Sequence, residues 1–123
     1  MARILLVEDD ANLLLLMEHV LRSEDHAVDL AITVQEAQAR LAQSRYDLVL
    51  TDGKLPDGTG MQVGDAASTG GMKTLIVTGF AFQLPSEELG RFEYLLKPVR
   101  PSELLRAVER MLASCGSPPA TAR

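Results

Sequence analysis

A chain of 123 residues, 46% hydrophobic and 24% charged, suits one soluble domain with a single sizeable core and excludes a disordered or membrane-embedded chain. Its net charge of −5, with no basic run to offset it, argues against nucleic-acid binding through bulk electrostatics. The apolar runs are too short to span a bilayer, MARILLVEDD lacks a signal-peptide pattern, and the lone Cys115 cannot form an internal disulfide; a cytoplasmic protein is expected.

Residues 3–7, RILLV, form a continuous apolar run of the kind a strand buried on both faces requires, and three acids follow: Glu8, Asp9 and Asp10. The next stretch has helical spacing, with Leu13, Leu16, Met17, Val20 and Leu21 expected on the buried face and Leu14 and Leu15 off it. A second strand is predicted over 27–31. The capping-box spacing of Thr33 and Glu36 opens a helix that runs to about Gln43. The third strand, 46–51, delivers Asp52 into a loop of glycine and proline. A weak helix over 61–68 is interrupted by Gly64 and ends at Gly70 and Gly71. The fourth strand is 74–78, TLIVT. Ser86 is expected to cap a very short helix, 87–91, before a fifth strand at 93–96. Pro101 suits the first turn of a last helix that extends to about Ala113. Residues 1–115 are thus expected to form one domain, followed by a flexible tail, 116–123.

Five strands alternating with five helices predict an α/β fold: a doubly wound five-stranded parallel sheet with helices on both faces, the third and fourth helices short. Ligands in such sheets bind beyond the carboxyl ends of the strands. Glu8, Asp9, Asp52, Thr78 and Lys97 each stand at or just past such an end, so they should converge. Three carboxylates in one shallow pocket repel by several kcal/mol at intermediate dielectric, which calls for a cation. All-oxygen donors select a hard ion such as Mg²⁺, and Mg²⁺ beside a carboxylate nucleophile suits formation of an aspartyl phosphate.

The motifs Val7-Glu8-Asp9, Asp52 with Leu55-Pro56 and Gly58 or Gly60, Val77-Thr78-Gly79, and Tyr94-Leu95-Leu96-Lys97-Pro98 together resemble the response-regulator receiver domain of two-component signalling, with its flavodoxin-like fold. The resemblance spans Arg3 to about Ala113. It implies that Asp52 is the phosphoacceptor, that Asp9 binds Mg²⁺ or Mn²⁺ directly and Glu8 through water, and that the Lys54 backbone carbonyl is a further ligand. It implies that Lys97 and Thr78 hold the phosphoryl group. On phosphorylation Thr78 would move inward and Tyr94 would follow as a switch, and the bond before Pro98 is a candidate cis peptide. The implied partners are a histidine kinase or histidine phosphotransfer protein and an unspecified downstream effector, with no nucleic acid and no membrane. The implied role is that of a phosphoacceptor rather than an enzyme, acting as a stand-alone regulator or phosphorelay intermediate, or as a piece of a longer protein. Leu14 and Leu15, expected to be exposed beside the acids, are candidate docking residues for the phosphoryl donor. Two departures from the family stand out: Gly53 where a larger apolar residue is usual, and short, glycine-rich segments on either side of Thr78.

Two other functions compete. An aspartate-nucleophile phosphatase would need a second aspartate two residues after the first, where Lys54 stands. A pseudo-receiver, a pure interaction module, would be expected to have lost an acid or the lysine, and neither is lost. A Rossmann-type nucleotide binder is excluded because no glycine-rich loop follows the first strand.

Overall fold

The computed structural model describes residues 2–79 and 92–113. In chain order the elements are β1 (Arg3–Val7), α1 (Ala11–Arg22), β2 (Ala27–Ala31), α2 (Val34–Gln43), β3 (Leu48–Asp52), a two-stranded ribbon of β4 (Lys54–Leu55) and β5 (Gly58–Thr59), α3 (Gly60–Thr69), β6 (Thr74–Thr78), β7 (Glu93–Leu96) and α4 (Pro101–Ala113). The expected short helix at 87–91 and the tail at 116–123 lie outside the described residues.

The five main strands form one parallel sheet in the order β2-β1-β3-β6-β7. Each strand alternates its side chains between two cores, as a pleated strand must. Ile4, Leu6, Leu48, Leu50, Leu75 and Val77 face α1 and α4, where Leu21, Leu104 and Val108 meet them. Leu5, Val7 and Val49 face α2 and α3, against Val34, Ala37, Val63 and Ala67. The strand order reverses between β1 and β3, so the carboxyl ends of these two strands flank a crevice.

Local chemistry fixes the helices that border this crevice. The Asp10 carboxylate caps α1 by accepting from the Asn12 and Leu13 N–H groups at 3.0 and 3.2 Å. Thr33 caps α2 by accepting from Glu36 N–H at 3.0 Å, and the Glu36 carboxylate accepts from the Ile32 N–H, one residue before the cap. α3 is longer than the sequence suggests, ten residues, the same length as α2. Gly64 does not break it, because the ring of Phe92 packs directly over the bare Cα. A Cβ there would stand 2.7 Å from Phe92 Cζ. Gly64→Ala should therefore lower stability by about 1 kcal/mol, since overpacking costs more than the helix-propensity gain returns. A denaturant midpoint at or above that of wild type would show that Phe92 yields freely.

The α1 expectations need correction. Leu14 is buried, 8% exposed, whereas Leu16 is 48% exposed and Leu15 61%. At about 100° per residue, the buried Met17, Val20 and Leu21 have their centre about 65° from Leu14 but about 95° from Leu16. Leu14 thus belongs to the core. Leu15, nearly opposite the stripe, is exposed as expected.

Candidate functional site

Glu8 follows β1 directly, and its N–H continues the ladder to Ala31 O at 3.0 Å. Asp52 is the last residue of β3, at the centre of the sheet. Thr78 ends β6, and its carbonyl accepts from Lys97 N–H at 3.0 Å, extending the β6–β7 pairing by one residue. Strand register thus brings residues separated by up to 89 positions to one edge of the sheet.

The acids cluster closely. Glu8, Asp9 and Asp52 each offer a carboxylate oxygen, and these oxygens lie within 4.8 Å of one another. Glu8, Asp52 and Thr78 are buried, and Asp9 is exposed. Lys97 Nζ is 3.2 Å from Glu8 Oε1 and 3.3 Å from Asp52 Oδ2, so one ammonium serves two buried carboxylates. Asp10 N–H donates to the other Glu8 oxygen at 3.2 Å. The Lys54 N–H makes a longer approach to Asp52 Oδ1, 3.4 Å. The Lys97–Pro98 peptide bond is cis. Tyr94, on β7, is 39% exposed.

The charges are unevenly compensated. Burial pushes the Glu8 carboxyl up to about 7; Asp52 adds to the rise, while the Asp10 N–H and Lys97 restrain it. Burial pulls Lys97 down, but Asp52 and Glu8 more than offset this and hold it above its ordinary value. Three acids with one lysine leave an excess of negative charge that a divalent cation would neutralise. The donors are all oxygens and geometrically close, so they fit a hard ion such as Mg²⁺. Below pH 7 such an ion must first displace the Glu8 proton. Its affinity should therefore tighten roughly tenfold from pH 6 to pH 8 and level off above that. Calorimetric Mg²⁺ titrations across this range would check the slope, which Glu8→Gln should flatten. A slope kept in Glu8→Gln would place the proton elsewhere.

Two residues act here in ways that the sequence reading does not supply. Asp57, in the turn of the β4–β5 ribbon, accepts from the Val34 and Gln35 N–H groups at 2.7 and 3.0 Å. These bonds hold its carboxyl below the usual range and pin the loop after Asp52 to the start of α2. Gly60 is the other. A Cβ on it would collide with the Asp52 carbonyl oxygen and stand 3.2 Å from Gly53 Cα, so only glycine lets α3 begin this close to the end of β3. A Pro-Asp-Gly turn near a helix with spare N–H donors is the signal that could have flagged Asp57.

A central acid flanked by two more, a lysine and a hydroxyl, at the switch point of a 2-1-3-4-5 parallel sheet is the arrangement of a receiver-type α/β domain. Residues 4–109 match the response regulator receiver domain, and the chain belongs to that family. It is 29% identical over 114 residues to the transcriptional regulatory protein ResD of Bacillus subtilis, covering 89% of this chain and 48% of that one. It is 32% identical over 125 residues to the transcriptional regulatory protein GlrR of Escherichia coli, covering 98% of this chain and 28% of that one. The chain thus spans half or less of the length of these relatives. Among solved structures, a CheY-like receiver domain protein from Methanospirillum hungatei superposes with a TM-score of 0.82 at 32% identity, covering 93% of this chain and 95% of that one. The receiver domain of a Pseudomonas aeruginosa sensor histidine kinase has a magnesium ion coordinated in its active site cleft. It gives a TM-score of 0.82 at 29% identity, covering 92% of this chain and 98% of that one.

Proposed function

We propose that Asp52 accepts a phosphoryl group from the phosphohistidine of a kinase or phosphotransfer protein, and that the product has an altered affinity for a downstream partner. The observation that carries this reading is the Lys97 ammonium bridging Glu8 and Asp52 at 3.2 and 3.3 Å, which puts a cation where phosphoryl oxygens would arrive. Glu8, Asp9, Asp52 and the Lys54 carbonyl would hold Mg²⁺ or Mn²⁺. A bound ion of this kind supplies charge neutralisation for the carboxylates and for the incoming phosphoryl oxygens.

An Asp52 carboxylate oxygen forms the new bond to phosphorus while the bond from phosphorus to the donor imidazole breaks, and the imidazole takes a proton from solvent. Lys97 moves from its carboxylate partners to the phosphoryl oxygens, and the Thr78 hydroxyl donates to another. The domain is a stoichiometric acceptor, used in the cytoplasm. Of the two leucines expected to dock the donor, only Leu15 is available, with Leu16 exposed beside it.

Incubation with acetyl phosphate and Mg²⁺, read by intact mass, tests the reading. A gain of one phosphoryl group that disappears with chelator and in Asp52→Asn is expected. No gain at any Mg²⁺ concentration would favour a pseudo-receiver.

A further inference from the structure

Position 53, directly after the acceptor aspartate, has no side chain, and Thr78 fills the space that one would take. A Cβ built on Gly53 would stand 2.6 Å from Thr78 Cβ and 3.3 Å from its Cγ2, with Thr78 Oγ1 nearer still. Real Cβ atoms essentially never come within 3.0 Å of such neighbours, so a larger residue requires the Thr78 side chain, its Cβ included, to give way. Gly53 is not among the residues with positive φ. Space, and not backbone freedom, is therefore what demands glycine here.

The backbone of Thr78 has little room to give. The residue is 1% exposed, pairs with Leu96 on β7, and its carbonyl holds the Lys97 N–H at 3.0 Å. Shifting it would drag Lys97 from Glu8 and Asp52. A side chain at 53 must part the two strand ends by a few tenths of an ångström to clear Thr78 Cβ, and it turns the Thr78 hydroxyl away from the pocket.

We propose that Gly53 is a positioning residue for phosphorylation: its missing side chain lets Thr78 lie, hydroxyl first, against the backbone beside Asp52 before any phosphoryl group arrives. This inference rests on the receiver reading above.

A double-mutant cycle in the full chain tests it, with acetyl phosphate at saturating Mg²⁺. Gly53→Ala should slow Asp52 phosphorylation by between about tenfold and a hundredfold, the scale of loss when a catalytic group is displaced by about an ångström. In a Thr78→Gly background the same substitution should change the rate by less than about twofold, because the colliding side chain is gone. Mg²⁺ affinity should be unchanged in Gly53→Ala. Equal slowing in both backgrounds, or a wild-type rate in Gly53→Ala, would overturn the proposal while leaving the receiver reading intact. If wild type itself takes no phosphoryl group on Asp52, both fall.

Should Gly53→Ala fail to fold, three-bond couplings to the Thr78 methyl in wild type decide the matter. One rotamer before and after addition of beryllofluoride upholds the proposal. A change of rotamer overturns it.

Discussion

Lys97→Met should slow phosphorylation of Asp52 by about a hundredfold or more while binding Mg²⁺ at least as tightly as wild type. The two effects have opposite signs because the lysine faces both charges. As a donor aimed at the phosphoryl oxygens it stabilises the transferring group, and removing one such donor typically costs two to three orders of magnitude. As a cation 3.2 Å from Glu8 and 3.3 Å from Asp52 it repels the metal that those acids would hold. The fold should survive, because Glu8, its carboxyl already near 7, can take a proton when its partner is lost. Stopped-flow phosphorylation kinetics beside calorimetric Mg²⁺ titration separate the two roles. Parallel losses of rate and metal affinity would mean that Lys97 only organises the acids.

Leu14→Ser should lower stability by about 3 kcal/mol, a drop in melting temperature of roughly 12 °C, whereas Leu15→Ser should change stability by less than about 0.5 kcal/mol. Leu14 is 8% exposed and joins Met17, Leu21 and Val108 in the core beneath α1 and α4. Its replacement leaves a cavity and brings a hydroxyl into an apolar layer. Leu15, 61% exposed, loses only solvent-facing surface. Paired thermal melts measure the difference. Phosphotransfer from a histidine donor, compared between Leu15→Ser and wild type, isolates any docking contribution without the confounding loss of fold. Similar melting temperatures for the two variants would contradict the orientation of α1.

The site was more legible in the sequence than the helix faces. Each chemistry-bearing residue sits at the end of a short apolar strand, and parallel strands deliver their carboxyl ends to one edge whatever their separation along the chain. That rule places Glu8, Asp9, Asp52, Thr78 and Lys97 without further detail. α1 was harder. Four consecutive leucines carry no periodicity of their own, so the stripe had to be drawn from Met17, Val20 and Leu21, and a small error in its centre exchanged Leu14 for Leu16. α3 was undervalued because Gly64 weakens an isolated helix, whereas in the fold its bare surface seats Phe92. Gly53 looked like a departure from the family pattern, and its reason, the bulk of Thr78, lies 25 residues away on another strand. Asp57 could be read as a turn former but not as the anchor of α2, because that contact depends on how the ribbon folds back.

The central claim, that Asp52 carries the phosphoryl group, is tested most directly by trapping. Borohydride reduction of protein treated with acetyl phosphate and Mg²⁺ converts an aspartyl phosphate to homoserine, which peptide mass spectrometry locates. The account predicts homoserine at position 52, absent when Mg²⁺ is chelated. Homoserine at Asp9 or another acid, or none despite a phosphorylated intact mass, would contradict it.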